Sequence, residues 1–365
     1  MIGSNPPPPS PAAHAPPPGG GPYEPAVTIY RRFRNTDPPA LADVWNEAHT
    51  ARGAFPVRTP ALLERWIFSK PYFDPDGLIV AVDEDTNRIE GYSLAGFAPT
   101  PELNALNFAE GVVCSVAVRP TARRKGIGRG LVAAAEDYLI RKGARTLRAG
   151  PTWPQCPFGF GLYGGTNAPG FLASDPDADP FFRALGYQPA GQTAVYQKKL
   201  DQPLALADAR FGMLRRRYET QTLRAAAVQS WWHDAVWGTL EPVEFRLVDK
   251  LANNFPAARA VVWELEGYGW RWGTPSAGIL DMQVRPDLRR QGMAKLLVSQ
   301  VLRFLQDQFF GVCELHAPTD RPDLTGLCKA ATMEQVDLGT TYLKPVPQER
   351  QVPLSQPTGL TPVGL

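Results

Sequence analysis

Two stretches of this chain set guanidinium groups beside glycines at a spacing that suits one task, holding phosphate. The first is Val118-Arg119-Pro120-Thr121-Ala122-Arg123-Arg124-Lys125-Gly126-Ile127-Gly128-Arg129-Gly130-Leu131-Val132. The second is Val284-Arg285-Pro286-Asp287-Leu288-Arg289-Arg290-Gln291-Gly292-Met293-Ala294-Lys295-Leu296-Leu297-Val298, and at an offset of 166 residues the two share 8 of 15 positions. Glycine lets backbone come close to an anion, and the first N–H groups of a following helix point at it. Arginine adds charge and a planar pair of donors. Neither copy has the Gly-x-Gly-x-x-Gly of a dinucleotide site or the Gly-Lys-Ser/Thr of a P-loop. Arg-x-x-Gly-x-Gly/Ala suits instead a pyrophosphate bound without a metal. The expected binding residues are Val116, Val118, Arg123, Arg124, Lys125, Gly126, Ile127, Gly128 and Arg129 in the first copy. In the second they are Val284, Arg289, Arg290, Gln291, Gly292, Met293, Ala294 and Lys295.

The other reactive side chains show no such order. His233 and His316 have no partner at metal-ligand spacing and read as core or surface histidines, so no metal is expected. Cys114, Cys156, Cys313 and Cys328 form no Cys-x-x-Cys pair; Cys114 and Cys313 sit in apolar runs and read as buried free thiols. Arg123-Arg124-Lys125 in isolation would suit nucleic acid. A net charge of +2 over 365 residues, with glycines beside the run, favours the phosphates of a cofactor. No apolar run approaches the ~18 residues that a membrane span requires, and no charged-then-apolar signal segment leads the chain. The expectation is a soluble, cytoplasmic protein in a reducing compartment, with neither nucleic acid nor membrane as partner.

The elements that must position the two turns can be read in order. At about 100–200 residues per domain the length suggests two domains, and 17 Phe and 9 Trp suffice for sizeable cores. Residues 1–25 hold ten prolines and read as a disordered tail; 346–365 are again proline-rich and read as a flexible one. Val27–Phe33 alternates as a strand. Pro38 and Pro39 open a helix to about His49, and Ala61–Ser69 forms a second. Strands are expected at Leu78–Val82, Ile89–Phe97 and Glu110–Val118, the last feeding the first turn and a helix that Gly143 ends. Arg145–Ala149 is a strand. The aromatic, glycine-rich stretch 150–179 is long enough to suggest a lid. A helix at Pro180–Leu185 and a strand ending near Leu200 close the first half. In the second half, Leu214–Leu223, Glu244–Val248, Ala260–Leu265 and Ile279–Val284 read as strands, with a helix-like Trp231–Asp234. The second turn opens a helix with Met293, Leu297, Val301, Phe304 and Leu305 on one face; Val312–His316, a Leu327–Ala331 helix and Thr340–Leu343 follow.

The two turns, each between a strand and a helix, resemble the acyl-CoA motif of the GCN5-related N-acetyltransferase (GNAT) superfamily. Arg123, Gly126 and Gly128 match it in the first half, and Arg289, Gly292 and Ala294 in the second. Phe181-Phe182-Arg183-Ala184-Leu185-Gly186-Tyr187 resembles the family's closing helix, with Leu327–Met333 its counterpart, where Thr332 replaces the glycine. The resemblance covers about residues 27–345. It implies an α/β (α+β, mixed-sheet) fold of two tandem GNAT-like domains, 27–200 and 204–345. Acyl-CoA would lie in a splay beside each fourth strand, with a backbone N–H of that strand holding the thioester carbonyl.

The resemblance further implies an N-acetyltransferase: acetyl-CoA as cosubstrate and a primary amine, on a small molecule or a peptide, as acceptor attacking directly. Glu110 resembles the general base that members carry near the start of the fourth strand. The tyrosine that commonly protonates the leaving thiolate is replaced by Phe182 and by Cys328, leaving Tyr163 as a substitute if the long loop folds over the site. Asp281, and behind it Glu264, are the second half's candidate bases. The tryptophans at 231–232 and 270–272 read as core, with an acceptor pocket as the other possibility. The rival reading is a non-catalytic acyl-CoA sensor or scaffold, motivated by the two missing tyrosines. The acceptor's identity, the active half and the oligomeric state are not legible in the residues.

Overall fold

The computed structural model describes residues 27–204, 206–224 and 229–351; the expected tail 1–25 and most of 346–365 lie outside them. In chain order the elements are β1 Thr28–Arg32, α1 Pro38–Ala48, α2 Ala61–Leu63 continuing as a π-turn Glu64–Phe68, β2 Leu78–Asp83, β3 Ile89–Pro99 and β4 Leu106–Val118. Then come α3 Ile127–Arg141, β5 Thr146–Ala149, β6 Phe171–Leu172, α4 Ala178–Ala184 and β7 Gln188–Lys199. The second half contributes α5 Phe211–Arg217, β8 Tyr218–Arg224, α6 Trp231–Trp237, β9 Val243–Asp249, β10 Phe255–Glu264, α7 Glu266–Trp272 and β11 Ser276–Val284. It ends with α8 Met293–Asp307, β12 Val312–Pro318, α9 Pro322–Ala330 and β13 Glu334–Pro345. The mixed α/β class expected from the sequence is therefore what the chain forms.

One sheet runs through both halves in the order β1-β2-β3-β4-β5-β13-β7-β12-β11-β10-β9-β8, with β6 on β13. The last strands are exchanged. β13 lies antiparallel to β5 (Tyr342↔Ala149 to Pro345↔Thr146), and β7 lies antiparallel to β12 (Thr193↔Pro318 to Lys199↔Val312). The two pair with each other from Gln188↔Leu343 to Gln197↔Glu334, so backbone groups that would be open edges are satisfied across the molecule's centre.

Three cores flank this sheet. α3 buries Leu131, Val132, Ala135 and Leu139 against β2–β5 and against Tyr187 and Tyr342; α8 buries Leu297, Val301, Leu302 and Leu305 against β9–β12. The third core lies on the opposite face and belongs to both halves. It joins Trp45, Trp66, Phe158, Phe160 and Leu162 to Trp232, Val261, Trp263 and Tyr268. Phe160 stacks on Trp263 at 5.6 Å, Trp232 donates its indole N–H to the Pro154 carbonyl at 2.8 Å, and Lys70 Nζ donates to the Ala235 and Val236 carbonyls at the end of α6. Arg271 of α7 reaches back to the carbonyls of His49, Thr50 and Ala54 just after α1.

Two expectations are corrected here, and one further helix is found. In the stretch 150–179, expected as a lid, Phe158, Phe160 and Leu162 are too apolar to swing through water and form the plug between the halves. Residues 214–217 are helical and not strand, because Phe211 and Leu214, three apart, anchor one face of α5 while Arg215, Arg216 and Arg217 point outward. The helix α7 was not expected; its aromatics occupy successive faces, burying Tyr268 and leaving Trp270 outside, and so blur the helical period. Of the tryptophans of α6 and α7, Trp232 is buried in the core, Trp237 and Trp272 pack partly buried against it, and Trp231 and Trp270 are exposed.

Candidate functional site

Both glycine turns fold alike because their sequences demand the same backbone. Each begins with a single 3-10 turn after proline, Pro120–Ala122 and Pro286–Leu288. Each then places an arginine and a glycine in the left-handed region: Arg124 at φ 63° with Gly126 at 85°, and Arg290 at 64° with Gly292 at 91°. Gly126 and Gly292 are the N-cap residues of α3 and α8. A side chain at Gly126 would be strained but would meet nothing within 4 Å, so the space over the first helix N-terminus is open to an anion.

The fourth strand of each half breaks register at the same place. In β4, Leu94 pairs with Ser115 and Ala95 with Val113, leaving Cys114 as an extra residue; in β11, Val261 pairs with Asp281 and Val262 with Ile279, leaving Leu280 extra. The offset is again 166. Directly at these bulges the parallel neighbours part: the last pairs are Val113↔Ala149 and Ile279↔Leu315. A bulge leaves a ladder group unpaired and turns the strand, so each splay opens beside a backbone group that no neighbouring strand uses.

In the first half this arrangement bounds a cleft of about 370 Å³, lined by Val116, Val118, Arg123, Arg124, Gly126, Gly128 and Arg129 on one side. Phe171, Phe181, Phe182, Asp175 and Asp177 face them. Of the expected binding residues, Ile127 turns its side chain into the core and Lys125 is exposed beside the turn. Asp177 sits on the turn's guanidinium groups, 3.3 Å from Arg123 and 3.0 Å from Arg124. His49 also lines the cleft, its Nδ1 4.0 Å from Asp175; burial, with Arg123 and Arg271 nearby, pulls its imidazole down to about 4. Burial holds the Asp175 carboxyl above the ordinary range. Phe182 stacks on Phe171 at 4.7 Å, so the wall contains no phenol there. Tyr163 stands behind that pair, 6.3 Å from Phe171, and its oxygen accepts the Leu172 N–H at 3.0 Å; burial pushes its hydroxyl far up, which keeps it protonated.

The second turn has a neighbour that the first lacks. The Arg210 guanidinium lies 3.1–3.4 Å from where a Cβ on Gly292 would stand, and it donates to the Arg290 carbonyl at 3.4 Å. Lys295 donates to the Ala207 carbonyl and faces Asp208 at 3.6 Å. Arg289 donates to the Val284 carbonyl at 3.3 Å, as Arg123 does to Val118 at 3.2 Å. Met293 and Leu288 are buried, while Gln291 is exposed and bonds back to Asp287.

Beyond the β11–β12 splay lies a cavity of about 680 Å³ walled by both halves. Ile279–Met282, Leu315, His316, Arg321 and Leu324 supply one wall, and Arg148, Thr152, Trp153, Asn167, Gln192 and Thr341 the other. Asp281 lines it and pairs with Arg259 at 2.5 Å. Glu110 reaches it only through Arg148, which it holds with two contacts of 2.9 and 2.6 Å. His316, expected as plain core or surface, lines the cavity and pairs with the fully buried Glu314 at 3.0 Å. Burial opposes the charge on Glu314, yet His316, Arg52 and the Thr166 N–H together outweigh it and draw its carboxyl down to about 2. Sequence reasoning missed this pair because Glu-x-His on a strand marks only a shared face. It also missed His49, Asp175 and Asp177, which come from segments far from the turn. Among the described residues no group of three or more His, Cys, Asp or Glu could hold a metal ion, and no helix is long and apolar enough to cross a membrane.

Residues 39–152 match the model of the Acetyltransferase (GNAT) family. A mycothiol acetyltransferase of Renibacterium salmoninarum is 35% identical over 81 residues, 22% of this chain, and the match spans only 23% of that relative's length. Among solved structures, a tandem GNAT protein from the clavulanic acid biosynthesis pathway superposes with a TM-score of 0.61 at 16% identity, covering 87% of this chain and 98% of that one. A GCN5-related N-acetyltransferase from Sphaerobacter thermophilus gives 0.56 at 15% identity, covering 87% and 95%. At such identities these two likenesses speak for the fold.

Proposed function

We propose that this chain, whose residues 39–152 match the GNAT family model and whose fold is that of a tandem GNAT protein, is an N-acetyltransferase that moves the acetyl group of acetyl-CoA to a primary amine by direct attack. The observation that carries this reading is the coincidence, in each half, of three features: the bulge at Cys114 or Leu280, the splay it opens, and the left-handed arginine–glycine turn at the next helix N-terminus. In this reading the turn's N–H groups and Arg123 hold the pyrophosphate, and the unpaired group at the bulge donates to the thioester oxygen as charge builds there. The units proposed are residues 27–200 and 204–345, each completed by the other's last strand.

Of the residues expected to take part in chemistry, Asp281 is the one that lines the large cavity itself. Glu110 is proposed to act there through Arg148. Tyr163, protonated and behind Phe171, is proposed as a donor in the first half, where a shift of the Phe171 ring would open a path to the departing sulfur. The acceptor is a small molecule or a peptide amine; the hydroxyls and amides of Thr152, Asn167, Gln192 and Thr341 on the cavity wall favour a polar one. The test is thiol release from acetyl-CoA by the full chain across a panel of amines, including amino sugars, amino acids, polyamines and a lysine peptide. Amine-dependent thiol release supports the reading. Tight acetyl-CoA binding with no release above the protein-free rate would leave the chain a non-catalytic acyl-CoA sensor.

A further inference from the structure

Glu314 and His316 form a connected pair at the mouth of the β11–β12 splay. His316 is the first residue of β12 beyond the last β11–β12 pair, Ile279↔Leu315, and Leu280, the extra residue of the bulge, stands across from it. Its side chain is 6% exposed and lines the cavity. One ring nitrogen, Nε2, is 3.0 Å from the Glu314 carboxylate; the other, Nδ1, is buried with no partner among the described residues. A buried ring nitrogen left unpaired costs free energy unless something else meets it.

Glu314 is built to stay where it is. It is 0% exposed, and its carboxylate takes the Thr166 N–H at 2.8 Å, Arg52 at 3.0 Å and Gln197 at 2.8 Å besides His316. Gly165 makes room for it, since a Cβ there would collide with the Glu314 carboxylate. A carboxylate fixed on one imidazole nitrogen puts the hydrogen on that nitrogen and leaves the lone pair on the other. It also stabilises the ring once it takes a proton.

Resting on the transferase reading above, we propose that His316, oriented by Glu314, is the general base that deprotonates the acceptor ammonium in the second half's cavity. The ammonium gives one proton to Nδ1, and the freed amine nitrogen attacks the acetyl-CoA carbonyl carbon. The C–N bond forms, the C–S bond breaks, and the thiolate takes up the second proton that the nitrogen sheds on becoming an amide. His316 returns its proton to solvent, so one ammonium and one acetyl-CoA give one acetamide, one CoA thiol and one proton. The anionic groups facing the ring region are Glu314, Asp281 on β11, Asp320 after β12 and Asp337 on β13; the cationic ones are Arg52, Arg148 and Arg321. Asp281 and Asp320 on the cavity wall also suit an ammonium.

Two measurements on the full chain decide it. With histidine labelled by ¹⁵N, only four ring systems report, and the singly protonated His316 ring is expected to carry its hydrogen on Nε2, the nitrogen facing Glu314. A ring that carries both protons through pH 8.5, or a hydrogen on Nδ1, overturns the proposal. In the thiol-release assay, His316→Ala is expected to lower kcat by about 10²-fold or more with the acetyl-CoA KM little changed, to lose the acid limb of the pH profile, and to regain activity with added imidazole. Glu314→Gln is expected to lower kcat less and to shift that limb. A His316→Ala chain that turns over within threefold of the parent overturns this inference while leaving the transferase reading intact. A parent chain that turns over no amine overturns both.

Discussion

Cys114 and Leu280, 166 residues apart, hold the same position in the two halves: each is the one extra residue that breaks the pairing of a fourth strand beside the splay. What surrounds them differs. Cys114 is sealed in the shared core, where burial pushes its thiol up to about 12, and the first cleft is narrow and walled by stacked phenylalanines. Leu280 borders the larger cavity with Asp281 and His316. The repeat therefore preserves the bulge, the splay and the turn, while the surroundings of the two bulges differ.

Trp232 is fully buried at the junction and hydrogen-bonded to Pro154. Replacing it with alanine removes an aromatic side chain from both halves' common core, with an expected loss of roughly 3–5 kcal/mol. Denaturant unfolding should report this as a lower midpoint. A loss below about 1 kcal/mol would mean that the halves are held mainly by the sheet.

The exchanged strands predict that a first half cut off after Gln202 does not fold alone to a monomer, because β5 would have an open edge and β7 would have lost β12. Expressed alone, such a fragment should aggregate or associate; mixed with residues 203–365 it should recover a single species. Size-exclusion chromatography checks this. A stable monomeric fragment would show that β7 can move over to β5.

Glu314 supplies a pH dependence whose sign is fixed. Its folded carboxyl lies at about 2, below the ordinary value of 4.5, so the stability it contributes is present above about pH 4.5 and is lost as pH falls towards 2. The span corresponds to roughly 3 kcal/mol. Urea midpoints measured between pH 5 and 2.5 should fall more steeply for the parent than for Glu314→Gln, which starts lower. Equal slopes would remove Glu314 from the account.

Asp177 occupies Arg123 and Arg124 at the first turn, in an exposed position. Asp177→Asn removes an anion from beside the expected phosphates and should tighten acetyl-CoA binding about two- to fivefold, more at low salt. Unchanged or weaker binding would place the phosphates elsewhere.

The repeated turn, its flanking strand and helix, and the order of the first half's elements were legible because glycine, proline and the apolar period act locally. The exchange of β7 and β13 was not. Both strands are twelve residues long and both must find partners across the molecule, a choice made by non-local contacts such as Tyr342 beside Tyr187 and Phe182. Phe158-Gly159-Phe160-Gly161 looked like a lid because glycines dominate its pattern. Gly161 is needed for the plug itself: it sits at φ 80°, and a Cβ would press on Trp66 at 2.6 Å. His316 carried no signal until β12 placed it beside the cavity with Glu314 behind it.

The most direct test of the central claim is calorimetric titration of the full chain with acetyl-CoA, repeated with Gly126→Val and Gly292→Val. A β-branched residue in the left-handed region is strained by roughly 1–2 kcal/mol and fills the space over the helix N-terminus. The account predicts saturable binding by the parent and a loss of at least about tenfold at the altered half only, with the other half unaffected. Parent-like binding in both variants would contradict the assignment of these turns to the cofactor's phosphates, and the transferase reading would lose its foundation.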